Sequence, residues 1–415
     1  MKKHLLLLSM AVMAMTLSAQ VETEVVTGAG YPDEVYYSLD DSIVATVPRT
    51  TWDLGFTTQF SVSLLANNAS GVEVYTYPLG DTADWATLDT TGMTWVPLYN
   101  SIETWDEGAF NANAPGPPNL TDYGWGVYNE TTHMITGDSL YVVKTLSGVY
   151  KKLWIVQRNP MMNSWTFKVA ELDGSNEQTV ELPAGEYADK GFIYYSLDNL
   201  EILDRGEPAK EAWDLLFTRY WDYTIPYMVS GVLTNDLLVM AQEVKEEGID
   251  RETFVDYTDS AFSSEISIIG SDWKTFSMAT MSYEVDTNTV YFLKKYGETD
   301  STYYKLYFTA FDYTVGTYVF VEEKLSAVSS RAPEENMLLN LYPNPASDRL
   351  NLVYDHVGEM ELTVFDATGR VVLSSSHTGA GFSQVALDIS SLEHGIFFLR
   401  VKAGDSSNVL RFIKQ

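Results

Sequence analysis

The 415-residue chain contains no cysteine, which excludes disulfides, thiolate metal sites and thiol nucleophiles together. Its stability must come from buried core, which a chain of this length can supply. Basic residues are scarce: 26 Lys and Arg stand against 57 Asp and Glu, a net charge of −31. Such a surface repels phosphate backbones and anionic headgroups, so no nucleic-acid partner is expected. There are five histidines, and only His133 lies between the leader and the C-terminal 79 residues (337–415). No apolar run after the leader is long enough to cross a membrane as a helix, so no transmembrane segment is expected. The His-Glu-x-x-His helix, the Gly-x-Ser-x-Gly elbow and the phosphate-binding glycine loop are also missing. Together these absences point to a binding protein that is not an enzyme.

The N-terminus carries an export signal. Lys2 and Lys3 precede an apolar run from Leu5 to Leu17, followed by Ser18-Ala19-Gln20, the layout of a cleavable secretory leader spanning residues 1–19.

Beyond the leader the chain repeats itself. Tyr36-Tyr37-Ser38-Leu39-Asp40 recurs as Tyr194-Tyr195-Ser196-Leu197-Asp198, and Trp52-Asp53-Leu54-Gly55-Phe56-Thr57 as Trp213-Asp214-Leu215-Leu216-Phe217-Thr218. Gly71-Val72 recurs as Gly231-Val232. The Trp125, Leu140, Tyr150 and Trp165 blocks match those at Trp273, Val290, Tyr303 and Tyr318. Ordered matches at this spacing mark a tandem duplication, with units at 20–176 and 177–325. The blocks are short, aromatic and β-branched, and Gly, Asp, Asn and Ser separate them, so both units read as all-β. From Lys305 to Tyr313 the two faces alternate with period two. Asp236 to Glu247 is a local exception with near-helical apolar spacing. Trp52 and Trp213 read as core anchors with satisfied indole N–H groups. The prolines of Ala114-Pro115-Gly116-Pro117-Pro118 mark an exposed loop.

A polar linker at 326–336 leads to a third segment, 337–415. Its motifs are Leu341-Tyr342-Pro343-Asn344-Pro345-Ala346, Val364-Phe365-Asp366-Ala367-Thr368-Gly369-Arg370-Val371-Val372, Leu387-Asp388-Ile389-Ser390-Ser391-Leu392 with Gly395 to Val401, and the terminal Phe412-Ile413-Lys414-Gln415. In physical terms the prolines set an extended start. Asp366 to Gly369 reads as a hairpin loop with Gly369 left-handed, and Ile396 to Val401 as a strand. In this order the motifs resemble the type A C-terminal sorting domain of the type IX secretion system, expected to be a small Ig-like β-sandwich. The resemblance implies that the secretion machinery of a Bacteroidetes-type bacterium recognises 337–415. It also implies a secreted, extracellular or outer-surface destination reached through the periplasm, which makes the two β units the cargo.

Within each unit, the order of Tyr-rich strand, Trp-Asp-Leu-x-Phe block, Gly-Val block, Trp block and closing aromatic strands resembles the HmuY-like haem-binding family. That resemblance implies a β scaffold gripping haem through paired His or Met axial ligands. The candidates are His133 and Met134 in the first unit, with Met278 and Met281 in the comparable interval of the second. The alternative is a surface adhesin or glycan-contact protein without haem, using exposed aromatics near Trp105, Trp154 or Trp221. No other metal and no other cofactor is expected.

Overall fold

A computed structural model describes residues 20–415 apart from 60, 117–118, 120, 224, 298–300, 326–338, 345, 367–369, 404–405 and 415. The leader at 1–19, the linker at 326–336 and the centre of the 366–369 hairpin loop lie outside the described residues. The architecture is all-β. Its regular elements are strands and short 3-10 turns, and every described strand pair is antiparallel.

Asp236 to Glu247 departs from the helical expectation. Val239–Lys245 is a strand paired with Thr289–Tyr296, with Val239 and Ala241 inside and Gln242 and Val244 half-buried. Sheet pairing along seven residues overrides local helical spacing.

The cargo has two main cores. The first lies between an eight-stranded sheet that includes Tyr141–Lys144, Tyr150–Asn159 and Ser164–Glu171 and a four-stranded sheet. The second lies between a five-stranded sheet, including Thr289–Tyr296, Ser301–Asp312 and Thr317–Leu325, and another four-stranded sheet. The repeats and the cores do not coincide, because each repeat lends its Tyr-Tyr strand to the other. Asp33–Ser38 pairs with Leu215–Asp222 of the second repeat. Phe192–Ser196 pairs with Leu54–Thr57 of the first. Val21–Val26 completes the exchange along the edge of Thr317–Leu325.

The exchange is built into the aromatic packing. In the first core Phe56 stacks on Phe167 at 5.1 Å, and Tyr195 meets Phe167 edge-on at 5.1 Å. In the second, Phe217 stacks on Phe320 at 5.6 Å, and Tyr37 meets Phe320 edge-on at 5.5 Å. Each exchanged tyrosine therefore fills the place its twin fills in the other core. The small residue of the repeated Gly-Val block has a steric reason in the second copy: a Cβ on Gly231 would come within 2.5 Å of the Gly270 carbonyl.

On exchanged strands successive side chains serve opposite faces. Tyr37 and Tyr195 enter the cores, while Tyr36 and Tyr194 face the seam between the four-stranded sheets. Tyr36 packs edge-on against Trp213 at 5.1 Å, and Tyr194 against Trp52 at 4.8 Å. Trp105 bridges the two clusters, and its indole N–H donates to the Thr234 carbonyl. Trp52 and Trp213 are buried anchors, but their indole nitrogens find no acceptor among the described residues, contrary to the expectation of satisfied N–H groups.

In the third segment Arg349–Asp366 pairs with Val371–Asp388, and Gly395–Ala403 pairs with Ser406–Lys414. A bridge between Ala346 and Lys414 draws the sheet edges together around a core of its own.

Candidate functional site

The four donor candidates occupy matching places in the two repeats. His133 and Met134 sit in the turn between Gly126–Tyr128 and Ile135–Gly137. Met278 and Met281 sit in the turn between Lys274–Ser277 and Ser282–Val285. His133 is exposed with φ at 59°, and its Nδ1 is 2.7 Å from the Tyr128 hydroxyl. Nε2 therefore remains as its second ring nitrogen. Met278 is 77 % exposed and Met281 58 %. His133, Met278 and Met281 are thus presented at hairpin tips, while Met134 is half-buried. Among the described residues no cluster of three or more His, Asp and Glu is placed to hold a metal ion.

The three tryptophans expected near an exposed surface divide. Trp105 belongs to the seam. The Trp154 indole donates to the Gly137 carbonyl, and the Lys168 ammonium lies 5.4 Å from its ring centre. Trp221 stacks face to face on Tyr99, with centroids 4.2 Å apart and planes 4° apart. This pair joins the two repeats. The Tyr223 hydroxyl locks it by donating to the carbonyls of Tyr99 and Asn100, both at 3.0 Å. Burial raises the Tyr223 phenol to about 12, with Tyr99 adding to the shift, so it stays a donor at any physiological pH.

A second aromatic group adjoins the first. Trp95 packs edge-on against Tyr75 at 5.0 Å and against Tyr150 at 5.4 Å. Tyr75 is the register partner of Pro97, two residues before Tyr99. Tyr75 and Pro97 therefore share one face of the sheet, and Tyr99 follows directly after the Pro97–Leu98 strand, near enough to Tyr75 to act on its phenol. The result is a strip running from Tyr150 through Trp95 and Tyr99 to Trp221 and Tyr223, with Tyr75 buried in its middle. Trp95 and Tyr223 are 43 % and 48 % exposed. Ile225 and Tyr227 extend the apolar surface beside it at 55 % and 65 %.

Polar groups flank the strip. Glu73 accepts from Lys144 at 2.7 Å and from the Tyr75 hydroxyl. Burial works to raise the Glu73 carboxyl, but those two hydrogen bonds outweigh it and hold the group below the ordinary carboxylate range. Glu73 is therefore ionised at neutral pH. Flat rings with fixed orientation beside a charged acceptor and donor suit stacking on the C–H face of a sugar, with its hydroxyls hydrogen-bonded at the rim. Sequence reasoning singled out Trp221 and missed Trp95, Tyr99 and Tyr223. The available signal was the placing of Trp95 and Tyr99 around Pro97, whose ring fixes the backbone between two aromatics.

The fold thus defines an all-β protein with a separate C-terminal sheet that follows the cargo. Residues 340–415 match the family described as the secretion system C-terminal sorting domain. No curated protein matches the chain. The sorting domain marks the chain for export by type IX secretion to the cell surface or outside, through contact with the secretion machinery. No described helix is long and apolar enough to cross a membrane.

Proposed function

We propose that the exported cargo is a glycan-contact protein of the cell surface or its surroundings, binding polymeric carbohydrate along the strip rather than catalysing a reaction. The observation that carries this reading is the parallel Tyr99–Trp221 stack, pinned by Tyr223, with Trp95 packed on the neighbouring Tyr75. Contiguous exposed aromatic surface marks an interaction site more often than a bare solvent face. An uncharged sugar polymer meets no repulsion from the −31 net charge.

Affinity electrophoresis through gels containing neutral polysaccharides tests this. Retardation is expected for the mature protein, with roughly tenfold weaker binding for Trp221→Ala or Trp95→Ala, the effect of losing about 1.4 kcal/mol of ring contact. Migration unaffected by every polysaccharide, or retardation of both variants equal to the parent's, would count against the strip.

A second reading is haem or a related porphyrin. Two things support it: the resemblance of the repeated blocks to the HmuY-like family, and the matching hairpins that carry His133 with Met134 and Met278 with Met281. Titration with haemin in oxidised and reduced states checks it. A saturable Soret shift lost on replacing His133 or Met278 supports haem capture, and no shift in either state removes it.

A further inference from the structure

We infer that a polar depression on the outer face of the five-stranded sheet that holds Ser301–Asp312 and Thr317–Leu325 is a subsite for one neutral hexose unit, with Arg251, Asn288 and Glu22 as its hydrogen-bonding groups. The inference rests on the glycan-contact reading but concerns a different surface from the strip.

Glu22, Val321 and Tyr307 are register partners across three neighbouring strands, so they form a single row on one face. Over that row stand the turn containing Ile249 and Arg251 and the turn containing Asn288, which border an open depression of about 470 Å³. This volume is in the range of small-ligand sites and suits one sugar ring.

The Arg251 guanidinium is fixed in place. It lies over the Tyr307 ring at 4.8 Å, and Nη1 donates to the carbonyls of Phe308 at 2.7 Å and Asp286 at 3.3 Å. A register shift in the strand between Phe308 and Ala310 accompanies this anchorage. Nε and Nη2 have no hydrogen-bond partner among the described residues. On the facing turn, the Asn288 side-chain carbonyl accepts from the Gly248 N–H, which orients the amide and leaves Nδ2 as a donor. The exposed Glu22 carboxylate supplies an acceptor.

Fixed planar donors opposite a carboxylate match the alternating donor and acceptor capacity of vicinal hydroxyls. Ile249 and Val321 offer apolar surface to the ring C–H groups. Charge decides between sugar classes. Glu22, Asp250 and Glu252 outnumber Arg251 around the depression, which disfavours uronic and sialic acids.

Saturation-transfer NMR on the full mature chain, using methyl hexosides and methyl glucuronide as probes, tests the subsite. Transfer to at least one neutral hexoside is expected, with little to the glucuronide. Asn288→Asp keeps the acceptor for Gly248 and removes the Nδ2 donor, and Glu22→Ala alters an exposed strand residue. Each should cut transfer at least fivefold while leaving the fold intact. No transfer from any neutral hexoside, preference for the glucuronide, or transfer in both subsite variants equal to the parent's overturns the inference. If polysaccharide retardation persists in those cases, the strip reading survives and only the subsite falls. If hexoside transfer is seen without polysaccharide retardation, the strip reading falls instead.

Discussion

The buried carboxylate of Asp53 accepts the backbone N–H of Leu197 at 2.7 Å, across the boundary between the two repeats. Its second-repeat equivalent, Asp214, accepts the N–H of Leu39, also at 2.7 Å. Each Trp-Asp-Leu block therefore caps the Tyr-Tyr-Ser-Leu turn of the other repeat. Backbone pairing follows the same rule: the Asp53 N–H donates to Tyr195, and the Asp214 N–H to Tyr37. Only the charge balance differs. Asp53 takes a further backbone N–H from Leu146, whereas Asp214 takes the Lys295 ammonium.

Reciprocal exchange makes the cargo one cooperative unit. Neither core is complete until both repeats have been synthesised, since Tyr37 and Tyr195 each fill a core made mainly by the other repeat. Calorimetry of the cargo is expected to show one transition with matching calorimetric and van't Hoff enthalpies. Tyr37→Ala and Tyr195→Ala should each lower that same transition, at a cost of about 3–5 kcal/mol for a deleted core ring. Two separable transitions, with each variant moving only one of them, would contradict the exchange.

The seam should respond to pH. Glu207 is buried beside the Arg205–Glu34 ion pair, and one of its carboxyl oxygens has no partner among the described residues. Burial raises its carboxyl to about 7, and Arg205 only partly opposes this. Between about 4.5 and about 7 the folded chain holds a proton that the unfolded chain has released, so this group's contribution to stability falls as pH rises through that window. Glu207→Gln should therefore match the parent near pH 4 and exceed it by about 3 kcal/mol near pH 8. Urea midpoints at the two pH values measure the difference, and a gain that is equal at both would show that ionisation is not its cause.

The duplication, the strand character and the sorting segment were legible in the sequence because each rests on local patterns: recurring blocks, period-two alternation and ordered motifs. The exchange was not legible. Tyr36-Tyr37 looks the same whether it pairs with its own Trp-Asp-Leu strand or with its twin's, since both strands present the same aromatic partners. Asn67 and Asn235 show a related blind spot. Their side-chain amides donate to the carbonyls of Arg49 and Trp52, and of Lys210 and Trp213. They are equivalent in space, yet loops of unequal length displace them from the repeat spacing. The strip was only partly visible, because it is assembled from residues far apart in the chain.

Export should depend on the C-terminal sheet and not on the cargo. Deleting residues 340–415 is expected to leave a folded cargo in the periplasm, detected by fractionation and immunoblotting. Cargo that still reaches the surface or medium at parental levels would show that another signal directs it.

Lys274 makes the opposite pH prediction from Glu207. Its ammonium donates to the Ser230 carbonyl at 2.6 Å and lies 4.2 Å from the Trp273 ring centre and 4.8 Å from that of Phe311. Burial lowers the amine to about 7, against the pull of Asp272. Between about 7 and about 10.5 the unfolded chain binds a proton that the folded chain does not, so stability from this group rises with pH across that range. Below about 7 the amine is charged in both states, and the full cost of burying it applies. Lys274→Met keeps the stem's packing and removes the charge, so its gain over the parent should be on the order of a few kcal/mol at pH 6 and should shrink toward pH 10. Urea midpoints at those two pH values decide it. A gain that does not change with pH would show that ionisation is not its cause, and a variant less stable than the parent at pH 6 would mean that the carbonyl and ring contacts outweigh the cost of burying the charge.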